Sequence, residues 1–280
     1  MGLIAAILVI SSVAAVNLCS NFGGNKITDP KPEKPKLTVK YIGNEGILIS
    51  SGKRQVLIDG LHREYKPAYA FPPIELLEQI ENARAPYRDI DLVLVSHIHL
   101  DHFHPESVGL HLKNNPTAVF ASSGQVIGQL SANFADFYKI KSRVRQVDHQ
   151  WKTSEELSKG DIRIRFLGLR HANPQHRSIQ NFGHIISIGG MKLLHVGDAD
   201  MAPENFAEFD IEKEDIDVAV IPYWYLISET GRSLVKEQLN PRSIIAVHVP
   251  PADSKAVTDE VRGYFPDATV FTKILEEKTF

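Results

Sequence analysis

Short apolar runs alternate along this chain with segments whose apolar side chains recur at helical spacing. Runs at 37–42, 46–50 and 55–59, separated by Gly43 and Gly52, predict a meander of antiparallel strands. Helical spacing over 74–85 predicts a helix, and Ser123 is a good cap for another. Further strands are predicted at 90–95, 117–121, 162–169, 184–188, 192–196, 217–221 and 244–247, and further helices from Pro105, at 233–239 and at 254–265.

The order of these elements predicts the fold class. Two groups of strands, each followed by helices, indicate an α/β (α+β) domain in which two sheets pack face to face beneath outer helices. With 280 residues, of which 43% are apolar and 23% charged, the chain can bury a sizeable core. We therefore expect one large domain at 37–280.

The N-terminal segment differs from the rest of the chain. Residues 2–16 are apolar apart from two serines, and no charged side chain precedes Lys26. We predict that 1–25 form a signal peptide, with an uncleaved N-terminal anchor as the alternative. Three prolines and alternating charges in 26–36 predict a stiff, solvated linker. The protein is then expected to be exported to the periplasm or extracellular space, or to associate with a membrane through its N-terminus.

The cysteine content excludes an internal disulfide, and the net charge argues against binding to nucleic acid. Cys19 is the only cysteine, so an internal disulfide is excluded. Its position after the apolar stretch suggests a lipoprotein, but Leu18 stands where lipoprotein processing requires Gly, Ala or Ser, which disfavours lipidation. A net charge of -3 argues against nucleic acid as a partner, because that interaction needs Lys and Arg massed on one face.

A dense cluster of metal-binding side chains follows the predicted strand at 90–95. Four such residues lie within the six consecutive positions 97–102: His97, His99, Asp101 and His102. If the chain stays extended past the strand, His97 and His99 point to the same side, and a turn toward Pro105 brings the other two back. Such nitrogen and oxygen donors suit Zn(II) and also accommodate Fe or Mn. The alternative is a solvated histidine-rich loop.

Three more donors follow predicted strands in the second half of the chain. His171 comes after 162–169, Asp198 after 192–196 and His248 after 244–247. Taken singly, each is more often structural. Together with the cluster they indicate one metal site, because loops at strand ends are where folds carry chemistry.

The HxHxDH pattern, followed by His171, by Gly197-Asp198 and by His248, resembles the metallo-β-lactamase superfamily. The resemblance runs from about residue 37 to His248 and implies a four-layer αββα sandwich that binds two divalent metal ions. It places His97, His99 and His171 on the first metal, Asp101, His102 and His248 on the second, and Asp198 as a bridge between them. It also implies that Asp59 orients the metal site.

The details of the pattern favour hydrolysis. Within the superfamily, a bridging Asp198 is typical of hydrolases and phosphodiesterases, and the diiron reductases typically have Glu in place of His99. The segment 41–46 and the segment 195–198 are similar to the branch that contains ascorbate-6-phosphate lactonase and N-acylphosphatidylethanolamine phospholipase D. The resemblance thus implies cleavage of an ester, lactone or phosphodiester by a hydroxide that bridges two metals, which Asp101 and Asp198 hold. The alternative is a mononuclear iron oxygenase resembling the persulfide dioxygenases.

Candidates for substrate contact lie beside these motifs. His176 could reach the substrate, although a merely surface histidine is an alternative. Tyr223 and Trp224 follow a predicted strand and either line the cleft or pack in the core. The segment 61–86 is either a specificity loop or a plain surface excursion. We expect a small-molecule or lipid-like substrate, and the sequence leaves the oligomeric state open.

Overall fold

Two seven-stranded sheets form the framework of the computed structural model, which describes residues 36–280. The first sheet contains β1 (Leu37–Gly43), β2 (Gly46–Ser51), β3 (Arg54–Ile58), β4 (Leu92–Leu94), β5 (Val119–Ser123), β6 (Val144–Val147) and β14 (Glu277–Thr279), in the order β14-β1-β2-β3-β4-β5-β6. The second contains β7 (Ser154–Lys159), β8 (Ile162–Arg170), β9 (Gln180–Ile188), β10 (Met191–His195), β11 (Val218–Pro222), β12 (Ser243–Val247) and β13 (Thr269–Val270), in the order β13-β12-β11-β10-β9-β8-β7. Each sheet joins antiparallel pairs at one side to parallel pairs at the other.

Helices cover the outer face of each sheet. The first sheet packs against α1 (Ile74–Glu81), α2 (Pro105–Asn114), α3 (Gly124–Asn133) and α4 (Phe137–Ile140). The second packs against α5 (Trp224–Ile227), α6 (Glu229–Leu234) and α7 (Ser254–Tyr264). The hydroxyl of Ser123 accepts a hydrogen bond from the backbone N–H of Val126 and so caps α3, as the sequence predicts.

Alternation along the strands separates three apolar layers. In β3, Val56 and Ile58 face the core between the two sheets, while Leu57 between them faces the helices. All three are fully buried, and each contributes roughly 1.5–3 kcal/mol by leaving water. One apolar layer between the sheets and one under each set of helices make a four-layer αββα sandwich, which confirms the predicted fold class.

Some elements differ from the sequence-based expectation. The helix predicted over 74–85 ends at Glu81, because Ala83 adopts a left-handed backbone (φ 47°). Strand β7 is not among the predicted elements, because its polar residues are mostly exposed and show no apolar alternation. The signal peptide or anchor predicted at 1–25, and the linker up to residue 35, lie outside the described residues. Within residues 36–280, the helices are too short or too polar to cross a membrane.

Candidate metal centre

Strand ends bring the candidate ligands together at one edge of the sandwich. In the first sheet, the turn after β4 carries the cluster from His97 to His102, and Asp59 follows the neighbouring parallel strand β3. In the second sheet, His171 follows β8, Asp198 follows β10 and His248 follows β12. The local backbone is specialised, since Asp59 and His248 both lie in the left-handed region (φ 48° and 59°).

His97, His99 and His171 form what we call the first donor group. The Nδ1 atom of His99 lies 3.0 Å from Nε2 of His97 and 3.2 Å from Nε2 of His171. Oδ2 of Asp198 faces the same point, 3.5 Å from Nε2 of His171 and 3.9 Å from Nε2 of His97. These four side chains offer ligand atoms that all lie within 4.8 Å of one another.

Asp101, His102 and His248 form the second donor group. Oδ2 of Asp101 lies 3.5 Å from Nε2 of His102 and 3.5 Å from Nε2 of His248. The other carboxylate oxygen of Asp198, Oδ1, lies 3.5 Å from each of the same two ring nitrogens. Asp198 therefore presents one oxygen to each donor group.

The spacing of these atoms suits divalent metal ions. Donors around a tetrahedral zinc ion at bonds of about 2.1 Å are roughly 3.4 Å apart, close to the separations in both groups. Oδ1 of Asp198 and Nε2 of His248 are buried and have no hydrogen-bond partner among residues 36–280. Because orphaned buried polar atoms are costly, a bound cation would explain both atoms. The residues present fit a metal centre.

Asp59 supports both donor groups from below. Its Oδ1 accepts a hydrogen bond from the backbone N–H of Ser96 at 2.7 Å, and its Oδ2 lies 2.9 Å from Nδ1 of His102. The hydroxyl of Ser96 donates to Asp59 at 2.5 Å and lies 3.0 Å from Nδ1 of His97. Holding the Nδ1 side of both rings fixes their orientation and leaves each Nε2 atom free to bind a metal. Asp59 thus lies beside the rings that the resemblance expects it to orient, and its role there remains a prediction.

The imidazoles differ in their proton affinity. Burial lowers the pKa of His99 to about 4, assisted by His171, and lowers the pKa of His97 well below its ordinary value. Burial opposes the charged form of His102 as well, but the carboxylates of Asp198 and Asp101 outweigh it and raise the pKa of His102. His97 and His99 are therefore ready to bind a cation at neutral pH, whereas His102 must release a proton to do so.

The carboxylates remain ionised. Burial would raise the pKa of Asp198, but the charges of His248 and His102 hold it well below its usual range. The pKa of Asp101 is lowered in the same way, against the effect of burial, by His102 and His248. The site thus concentrates anionic oxygens at the point where the two donor groups meet.

Comparison with known families decides where the chain belongs. A family model described as a β-lactamase superfamily domain matches residues 38–248, which is more than half of the chain. The chain belongs to this superfamily. The match begins in β1 and ends at His248, so it includes every candidate ligand. The described residues of this superfamily member carry clusters of histidine and aspartate that could hold metal ions.

Individual relatives of this superfamily member are distant. A UPF0173 protein of Pyrococcus furiosus is 24% identical over 161 residues, which span 57% of this chain and 66% of that protein, just under two thirds. A Veillonella parvula protein described as a possible metal-dependent hydrolase matches with a TM-score of 0.60 at 19% identity, covering 88% of this chain and 100% of that one. A metallo hydrolase of Ignicoccus hospitalis matches with a TM-score of 0.56 at 16% identity, covering 88% and 98%. These structural likenesses show the fold.

Two residues of the β1–β2 turn reach the centre and were missed by the sequence analysis. Asn44 is buried, and its side-chain amide donates to Oδ2 of Asp101 at 3.0 Å, while its carbonyl accepts from the backbone N–H of His248 at 2.9 Å. Glu45 is fully buried, its Oε2 lies 3.7 Å from Nε2 of His195, and neither of its carboxyl oxygens has a hydrogen-bond partner among the described residues. Burial and the nearby Asp198 raise the pKa of Glu45. The only sequence feature that pointed to Asn44 and Glu45 was the similarity of the segment 41–46 to one branch of the superfamily.

Aromatic and imidazole rings surround the two donor groups. The ring of His176 lies 4.6 Å from that of His99, and the ring of Trp224 lies 4.8 Å from that of His248. Tyr223 contacts Trp224 rather than a ligand. Tyr69, from the segment suggested as a specificity loop, contacts His248 at 5.4 Å between ring centroids. The candidates for substrate contact therefore lie beside the centre, and their role remains a prediction.

Proposed function

We propose that this protein is a binuclear metal-dependent hydrolase of an ester, lactone or phosphodiester bond. The observation that carries the proposal is the position of Asp198. Its Oδ1 lies 3.5 Å from ring nitrogens of the second donor group, and its Oδ2 lies 3.5 Å from Nε2 of His171 in the first. One carboxylate shared by two complete donor groups would hold two metal ions next to each other, as two-metal hydrolysis needs.

The chain's own residues prepare the centre for this reaction. Two divalent ions, which we expect to be zinc, with manganese or iron as alternatives, supply a hydroxide from water near neutral pH and polarise the bond to be cleaved. His97, His99 and His171 would hold one ion, and Asp101, His102 and His248 the other. Asp198 would keep the two ions adjacent. Asp59 orients the histidine rings, and Asn44 orients Asp101.

The second donor group separates this proposal from the runner-up. A mononuclear iron oxygenase resembling the persulfide dioxygenases needs one set of ligands, so the second group would have no task. Asp101, His102 and His248 are buried or nearly so, and Asn44 holds two of them in place. Such a costly arrangement of buried polar groups favours two ions.

The branch of the superfamily and the setting of the enzyme belong to the proposal as well. The β1–β2 turn, which carries the similarity to the branch of ascorbate-6-phosphate lactonase and N-acylphosphatidylethanolamine phospholipase D, contacts the second donor group directly. The similarity of this turn to that branch is the reason for proposing a small-molecule or lipid-like substrate. We also retain the proposal of an exported or membrane-associated protein with a domain at 37–280.

Metal analysis combined with a substrate panel tests the function. The purified protein, loaded separately with zinc, manganese and ferrous iron, is assayed on lactone, ester, phosphodiester, phospholipid and persulfide substrates. We expect two zinc or manganese ions per chain and hydrolysis of at least one ester, lactone or phosphodiester. One iron per chain, with oxygen consumed in the presence of the persulfide and no hydrolysis, would overturn the proposal in favour of the oxygenase.

A further inference from the structure

The second donor group has an aromatic side. The ring of His248 meets the ring of Trp224 at 4.8 Å and that of Tyr69 at 5.4 Å, both in edge-to-face geometry. Tyr65 stacks on Tyr69 at 6.0 Å, and Tyr223 contacts Trp224 at 5.6 Å. The rings of Tyr65 and Tyr69 thus lie on one side of His248 and those of Trp224 and Tyr223 on the other, and we call these four rings the aromatic row.

The loop that carries half of this row is fixed in place. Within the loop 59–73, the ring of His62 hydrogen-bonds to the carbonyl of Gly43 at 3.2 Å, and the carbonyl of Leu61 accepts from the backbone N–H of His104 at 2.9 Å. A Cβ atom on Gly43 would lie only 3.1 Å from the Cα of Phe71, so the loop packs directly on the β1–β2 turn. The other half of the row begins at α5, immediately after β11.

The first donor group has a different neighbourhood. The ring of His176 lies 4.6 Å from that of His99 and 5.1 Å from that of His171. The adjacent Arg177 donates to the carboxylate of Asp200 at 2.6 Å, so its charge is already balanced. The side of the first donor group is therefore polar, while the side of the second donor group is aromatic and carries Lys66, whose Nζ lies 4.7 Å from the centroid of the Tyr65 ring.

We propose that the aromatic row determines specificity by receiving the apolar acyl chain or aryl group of an uncharged ester or lactone, an inference that rests on the function proposed above. Aromatic faces stabilise an apolar group by removing it from water, at about 25 cal/mol per Å² of apolar surface. The acyl group lies on the side of His248, and the leaving group on the side of His176.

A binding experiment tests the aromatic row without requiring turnover. The chain has two tryptophans, so Trp151→Phe leaves Trp224 as the only reporter of fluorescence. The metal-loaded protein is titrated with acetate and with decanoate, which share a carboxylate and differ in the apolar chain. We expect decanoate to bind at least tenfold more tightly, and Tyr69→Ala to reduce that preference about tenfold. Tyr138→Ala, which removes a 72% exposed tyrosine in α4, is the matched control and should preserve the preference.

A hydrolysis experiment separates this inference from the proposed function. The kcat/KM for 4-nitrophenyl acetate, 4-nitrophenyl decanoate and bis(4-nitrophenyl) phosphate is compared in the parent, Tyr69→Ala and Tyr138→Ala proteins. We expect preference for the decanoate ester in the parent and control, and a weakened preference in Tyr69→Ala. Hydrolysis with no chain-length preference, or preference for the phosphodiester, would overturn the aromatic row while sparing the hydrolase. Binding that prefers decanoate, without hydrolysis of any of the three substrates, would support the aromatic row and overturn the hydrolase.

Discussion

Asn44 offers a way to disturb one donor group and leave the other intact. Its amide donates to Asp101, and its carbonyl accepts from the backbone of His248, so two members of the second donor group depend on it. Asn44 has a left-handed backbone (φ 51°), a conformation that glycine adopts without strain. Asn44→Gly therefore removes the amide and keeps the turn.

The expected effect follows from the lost hydrogen bond. A buried hydrogen bond to a charged acceptor contributes roughly 1.5–3 kcal/mol, and each 1.4 kcal/mol corresponds to about tenfold in affinity. Asn44→Gly should therefore weaken binding to the second donor group by roughly ten- to a hundredfold. Binding to the first donor group should change little, since Asn44 does not contact His99 or His171. Zinc competition against a chelating dye, with metal counted per chain, gives the two dissociation constants.

The control is a buried asparagine away from the centre. Asn115 is 2% exposed and donates to the carbonyl of Ile90, so Asn115→Ala disturbs folding without touching a ligand. Both variants should lose some thermal stability, but only Asn44→Gly should lose zinc selectively. Equal weakening of the two dissociation constants in Asn44→Gly, or none at all, would refute the orienting role of Asn44.

Three further substitutions probe the bridge, the turn beneath it and the buried core. Asp198→Asn should lower kcat on the order of a hundredfold or more while changing unfolding free energy little, and full turnover with both metals bound would remove the bridging assignment. Gly197→Ala should destabilise the fold by more than about 1 kcal/mol and displace Asp198. The reason is that φ of residue 197 is 56° and that a Cβ there would lie 2.6 Å from Oδ1 of Asn181. An unchanged melting temperature and metal content would contradict this prediction. Burial and the nearby His195 lower the pKa of His184 to about 3, so unfolding takes up a proton below pH 6.5 and stability falls as the pH drops. His184→Leu lacks that loss, and its stability relative to the parent should rise by about 2 kcal/mol between pH 7 and pH 5 in denaturant titrations; a pH-independent difference would show that His184 is not buried in its neutral form.

The candidate metal ligands could be predicted from the sequence where they directly follow a strand. The cluster from His97 to His102 lies in a single turn, so its composition alone predicted a metal site. His171, Asp198 and His248 were recognisable because each follows an apolar strand and because their order resembles a known superfamily. The layered architecture followed from the alternation and order of the elements.

Other parts of the site depend on tertiary contacts that no local pattern encodes. Asn44 acquires its role only because the β1–β2 turn docks beside the turn after β4, and Asn–Glu–Gly by itself reads as an ordinary hairpin turn. Tyr69 lies in a loop without periodicity, and its place beside His248 depends on the packing of that loop against Gly43. The polar strand β7 was invisible for the same reason, since its pairing with β8 rather than its own composition makes it a strand.

Each donor group draws its members from both sheets, so metal binding affects the stability of the folded protein. His97 and His99 come from the first sheet and His171 from the second, while Asp101 and His102 come from the first and His248 from the second. A bound ion is therefore a cross-link between the two halves of the sandwich. Binding at a metal concentration a thousand times the dissociation constant adds about 4 kcal/mol to the free energy of unfolding, which is a large fraction of the roughly 5–15 kcal/mol that stabilises a typical domain. Removal of metal would then lower the amount of folded protein in addition to abolishing the proposed activity.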